Sequence, residues 1–154
     1  MKQGWKLIQL IFGGLCLAAI WGVNQSYAQP AQLKIIANPS VKTQSLDKDQ
    51  ARRIFTMYQT NWSNAEPIVV YVLASQNQVH QLFSREVLGL FPYQLDRIWN
   101  KLVFSGLGEA PIKVNTEQEM LEKISQQPGA IGYVMSAQLP SDVQVISLAE
   151  EQEL

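Results

Sequence analysis

The sequence predicts an α/β domain in which a largely parallel sheet carries helices on its faces. Three observations lead there. Strand-like apolar runs alternate with segments of helical period between Leu33 and Leu148. The run Ile68-Val69-Val70-Tyr71-Val72-Leu73 is continuously apolar and rich in β-branched residues, the pattern of a strand covered on both faces. The helical segments are bounded by residues that start and stop helices: Ser45, Pro92 and Thr116 at their beginnings, Gly89 and Pro128-Gly129 at their ends.

Length allows one such domain. At 154 residues and 47% hydrophobic, the chain has enough apolar material for a single core. Its formal charge of -1 gives no basic excess for nucleic acid, and its only acidic cluster is Glu150, Glu151 and Glu153. A mildly acidic domain does not draw anions from a distance, so any anion site must be built from local donors.

Before the domain, Lys2 and Lys6 precede an apolar run from Leu7 to Val23 and then the small residues Ser26 and Ala28. This is the pattern of an export signal over 1–28, with cleavage expected after Ala28 and an uncleaved anchor as the alternative. Cleavage takes Lys2 and Lys6 from the 12 basic residues, leaving 10 against 13 acidic. It also takes Cys16, the single cysteine, so no disulfide supports the fold. Leu15 before Cys16 argues against lipid attachment, which needs a small residue there. The expectation is a domain over 29–150 with a short acidic tail at 151–154, in the periplasm and without a stable membrane anchor.

Along the domain, Leu33 to Ala37 reads as a buried strand ended by Asn38-Pro39-Ser40, and Val41 to Gln44 as a loop. Ser45 is the expected N-cap of a helix with Asp47 and Asp49 in its first turn and Ala51, Ile54, Phe55 and Tyr58 on its inner face. The central strand follows Pro67. After the Ala74-Ser75-Gln76-Asn77 turn comes a helix with an inner face of Val79, Leu82, Phe83 and Val87, and after Pro92 one with a stripe of Leu95, Ile98, Trp99, Leu102 and Val103. Ile112-Lys113-Val114 is a short strand. Thr116 and Glu119 form a capping box for a helix burying Met120, Leu121 and Ile124, and Ala130 to Met135 and Val143 to Leu148 are the last strands.

Catalytic groups are not assembled by any motif. There is no Gly-x-Ser-x-Gly elbow and no Gly-x-x-x-x-Gly-Lys loop, and His80 is the single histidine, so zinc lacks its usual ligand set. Asp47 with Asp49 and Glu117 with Glu119 sit in first turns of helices, where capping accounts for them. Arg52 and Arg53 read as a solvent face, and Trp62, Tyr71 and Trp99 as core. His80, next to inward Val79, reads first as a solvated surface residue, with a ligand role second. Neither an enzyme nor a bound cofactor or metal is expected.

In open α/β sheets ligands bind beyond the carboxyl ends of strands, which directs attention to the turn after Leu73. Several segments together carry a resemblance: Ser45-Leu46 with Gln50 and Arg53-Ile54-Phe55, then Trp62, Pro67-Ile68-Val69-Val70, Phe83 with Val87-Leu88-Gly89, Trp99 with Val103-Phe104-Ser105-Gly106, and Gln127-Pro128-Gly129-Ala130-Ile131-Gly132-Tyr133-Val134. This series resembles phosphate-binding-protein-like domains, related to the substrate-binding subunit of phosphate ABC transporters. The resemblance implies a single lobe of a type II periplasmic-binding-protein fold. It also implies an anion loop in which a Gly-Ser element opens a helix bearing an Arg. By that match the Gly position is Gln76, the Ser position Asn77 and the Arg position His80, so the ligand candidates are Ser75, Gln76, Asn77 and His80. Asn77 reads equally well as a plain helix cap.

Two functions follow as expectations. The first is a periplasmic substrate-binding-like protein for phosphate or a similar oxyanion, serving ABC-type uptake or sensing, with a second lobe, a transporter component or a homodimer partner closing the site. The second is a structural or interaction domain that keeps the lobe and has lost the anion. The fold alone does not choose between them.

Overall fold

The computed structural model describes residues 30–149; the expected export signal and the acidic tail lie outside them. The elements run β1 (Gln32–Ala37), β2 (Ser45–Leu46), α1 (Lys48–Phe55), β3 (Val69–Leu73), α2 (Gln78–Glu86), α3 (Pro92–Phe104), β4 (Ile112–Val114), α4 (Glu117–Gln126), β5 (Ala130–Ser136) and β6 (Gln144–Leu148). The strands form one sheet in the order β2-β6-β1-β5-β3-β4. Three of the five pairings are parallel: β2 with β6, β3 with β4 and β3 with β5. The sheet is therefore largely parallel, with β1 as the reversed strand, antiparallel to both β5 and β6.

Helices cover both faces, and side chains alternating along β5 show how. At Gly132 an added Cβ would lie 2.7 Å from Ile124 and 2.8 Å from Met120, so α4 packs directly on the strand backbone. Tyr133, one residue on, points to the other face. There its ring stacks on Phe83 of α2, with centroids 3.9 Å apart, and tilts against Phe55 of α1. Trp99 of α3 closes this layer by donating its indole N–H to the Phe55 carbonyl at 2.9 Å. Trp62 is buried in the same core and donates to the Gly129 carbonyl at 3.0 Å. The expectation that Trp62, Tyr71 and Trp99 are core residues holds.

Several local expectations are corrected. Ser45 does not cap α1; it pairs in β2, and the cap is Asp47, whose carboxylate accepts the Gln50 N–H at 2.6 Å. Tyr58 lies outside the inner face of α1 and is exposed, because the helix ends at Phe55 and the backbone turns through a positive φ at Met57. On α3 the buried residues are Leu95 and Trp99, whereas Val103 is exposed near the helix end with Phe104 and Leu107. The Thr116–Glu119 box forms with one change: Thr116 accepts the Glu119 N–H at 3.1 Å, while Glu119 reaches one residue further back, to the Asn115 N–H.

Gly129 joins α4 to β5 at φ +74, in the left-handed region, and a Cβ there would sit 2.2 Å from the Pro67 carbonyl oxygen. Only glycine allows the chain leaving α4 to pass so close to the entry of β3. Asn38, after β1, holds the other side of this junction. Its amide donates to the Ile124 and Ser125 carbonyls at 2.8 and 2.9 Å, satisfying acceptors that the end of α4 leaves free.

Candidate functional site

The sheet splays beside the turn after Leu73. β3 pairs with β5 only at Val69 and Val70, and from Tyr71 to Leu73 its ladder partner is β4. The Leu73 N–H, facing the gap, instead donates to the Tyr133 hydroxyl at 3.0 Å. That hydroxyl has one proton, and its other contact is His80 Nδ1 at 2.5 Å. Since the oxygen already accepts from Leu73, the arrangement that uses the phenol proton has Tyr133 donating to Nδ1. The neutral ring then carries its proton on Nε2.

His80 is thus no surface residue. It is 1% exposed, its ring 6.0 Å from Tyr133 and 6.2 Å from Trp99. The buried stripe of α2 is His80, Phe83 and Ser84, continued by Val87, while Val79 and Leu82 are half-buried on its edges. Burial pushes the imidazole pKa below its ordinary value, with the Asp96 charge opposing and the Lys113 charge assisting. Burial likewise drives the Tyr133 phenol well above the usual range. Among the described residues Nε2 meets no partner.

The other three candidates lie around the start of α2. Asn77 is its N-cap, accepting the Val79 N–H at 2.8 Å. The remaining N–H groups of the first turn belong to the set that no helix satisfies internally. Ser75 donates to Asp96 Oδ2 at 2.6 Å, and Asp96 Oδ1 lies 3.6 Å from the Lys113 ammonium. Gln76 is exposed. Ser75 and Asn77 therefore stand at one helix start, Gln76 faces solvent above it, and His80 lies beneath, turned into the core.

Asp96 and Lys113 went unnoticed in the sequence. Asp96 is one residue after inward Leu95, and Lys113 is the middle of a three-residue strand; neither position has a local signature. Among the described residues no three His, Cys, Asp or Glu side chains gather as a metal site would require, and no helix is long and apolar enough to cross a membrane.

No family model matches the chain, and no curated protein does. Solved structures do. A putative phosphate ABC transporter substrate-binding protein from Clostridium perfringens, solved with bound phosphate, superposes with a TM-score of 0.63 at 17% identity, covering 77% of this chain and 45% of that one. The chain has the fold of one lobe of such proteins. An ABC-type phosphate transport receptor from Vibrio cholerae gives a TM-score of 0.58 at 15% identity over 77% of this chain and 46% of the other. A possible phosphate binding protein from Planctomyces limnophilus gives 0.59 at 13%, over 79% and 43%. The chain spans under half the length of these structures, as a single lobe does, and at such identities the likeness concerns the fold.

Against the loop pattern that the resemblance implies, this lobe differs physically as well as in sequence. Placing arginine at His80 would put a guanidinium into a site that is 1% exposed and strip Tyr133 of its partner. Where the resemblance implies a cation, this chain has a residue of the core.

Proposed function

We propose that the protein is an exported oxyanion-binding lobe of the periplasm, with phosphate as the first ligand to test, serving ABC-type uptake or sensing, and that the start of α2 is its anion half-site. One observation carries the reading: the first turn of α2 opens at the carboxyl end of β3 next to two further donors, the Ser75 hydroxyl and the Lys113 ammonium, which already hold a carboxylate. Free N–H groups, a hydroxyl and a cation are the donors that an oxyanion recruits.

Calorimetric titration of the exported chain with phosphate tests it. A single lobe leaves the anion largely hydrated, so the expected affinity is weak, about millimolar, or about -4 kcal/mol. Absence of heat up to about ten times that concentration counts against the reading. Mass spectrometry of the exported protein checks the route: a chain beginning at Gln29 supports a cleaved signal, and one retaining Trp5 and Trp21 a membrane-anchored protein.

A second reading, an interaction domain without a ligand, is favoured by the exposed apolar side chains Val103, Phe104 and Leu107 at the end of α3. A silent titration together with a stable dimer or a co-purified partner supports it.

A further inference from the structure

We infer that Asp96 is a tethered competitor for the anion half-site: its carboxylate occupies the place of the ligand, and an oxyanion binds only as Asp96 swings out. This rests on the reading of the α2 start as an anion site.

Both oxygens of Asp96 are engaged, Oδ2 by the Ser75 hydroxyl at 2.6 Å and Oδ1 by the Lys113 ammonium at 3.6 Å. A carboxylate and a phosphate compete for donors of this type because both present anionic oxygens. Asp96 enters from α3, whereas Ser75 precedes α2 and Lys113 lies in β4, so a swing of its side chain moves the backbone of neither donor. Its side chain is 32% exposed and that of Lys113 57%, which gives both an outward path into water.

A second, independent observation points to a ligand. His80 is 1% exposed, and its Nε2 has no partner among the described residues. Its Nδ1 is committed to Tyr133 on β5, so the far edge of the ring, with its N–H, turns away from that strand. The charges acting on the ring are those of Asp96 and Lys113. A buried donor without an acceptor is costly and rare. Asp96 as placed, with Oδ2 on the Ser75 hydroxyl and Oδ1 beside Lys113, makes no hydrogen bond to it. A tetrahedral oxyanion brings more oxygens than a carboxylate, and it can engage Ser75 and Lys113 with an oxygen to spare for the imidazole N–H.

Occupancy sets the size of the effect. A site filled by its own side chain about nine-tenths of the time binds an external ligand about tenfold more weakly than the same site emptied.

The test is phosphate titration of the exported full chain and of Asp96→Asn, with Asp96→Ala as a second variant should the first fail to fold, and with circular dichroism confirming folded protein. The expected result is phosphate affinity at least about tenfold tighter in the Asp96 variants than in the unmodified chain. Adding Lys113→Gln to Asp96→Asn should reverse most of that gain, since the emptied site then lacks the cation that holds the anion. If the unmodified chain binds phosphate and folded Asp96 variants bind it equally or more weakly, Asp96 is no competitor, and the anion-site reading stands without it. If neither the unmodified chain nor any folded Asp96 variant binds phosphate, both the competitor and the anion site are overturned.

Discussion

Two buried side chains, Trp99 and His80, bear different kinds of load. Trp99 is 2% exposed and spends its one polar group on the Phe55 carbonyl, so truncation removes a large apolar contact and orphans a buried acceptor together. Trp99→Ala should cost about 3 to 5 kcal/mol, read as a lower urea midpoint. His80 instead makes stability depend on pH. Its folded pKa is depressed, chiefly by burial. The unfolded chain therefore takes up a proton from about pH 6.5 downward while the folded chain does not. Stability is complete above that pH and falls on acidification until the folded pKa is reached. The rings beside it are Tyr133 on β5 and Trp99 on α3, and the charges acting on it are Asp96 on α3 and Lys113 on β4; Asp96 moderates the loss and Lys113 adds to it. Urea midpoints at about pH 7.5 and 5.5 should therefore separate more in the unmodified protein than in His80→Gln. Equal separations would mean that His80 titrates normally.

At the scale of elements, the junction between α4 and β5 is the least tolerant point of the chain. Gly129→Ala combines a left-handed backbone with a Cβ 2.2 Å from a carbonyl oxygen that belongs to the main chain and cannot step aside. Its cost should be about 3 kcal/mol or more. Gly132→Ala meets only the flexible ends of Ile124 and Met120, at 2.7 and 2.8 Å, and should fall near the low end of the roughly 1 to 3 kcal/mol range for overpacking. Denaturation midpoints that reverse this order would place the close approach elsewhere. The same elements show what was legible in the sequence. Strands and helices with an unbroken apolar period, such as β3 and α4, were readable within a residue or two. The inner face of α2 was misread because its true stripe, residues 80, 83, 84 and 87, has helical spacing but carries His and Ser at two of its four places. An apolar count passes over them. β2 is two residues long, too short for any period, and the reversed direction of β1 follows from pairings with β5 and β6 that no local pattern encodes. At the site, Asn77 and Ser75 were readable as polar residues of a turn. Asp96 and Lys113 reach that turn from α3 and β4, so their roles exist only after the sheet and its helices have assembled.

For the whole molecule, the decisive quantity is how an anion bound at one lobe is shielded. This lobe matches less than half of each solved structure that shares the fold, so the surface over the α2 start comes from outside the described residues: water, further chain, another protein or a second copy. These alternatives differ in thermodynamic linkage. If the lobe binds phosphate alone, the apparent affinity is independent of protein concentration. If two copies close on the anion, phosphate and self-association must strengthen one another by the same factor, because the coupling free energy is shared. The exposed Phe104 and Leu107 give a second copy apolar area to bury, but nothing requires that face to lie next to the anion. Linkage therefore tests the arrangement more directly than a mass alone. Titrating phosphate at protein concentrations about a hundredfold apart, with sedimentation run alongside with and without phosphate, should give the same weak affinity and a monomer throughout. An affinity that rises with protein concentration, with phosphate driving dimer formation, would replace the single half-site by one shared between two copies.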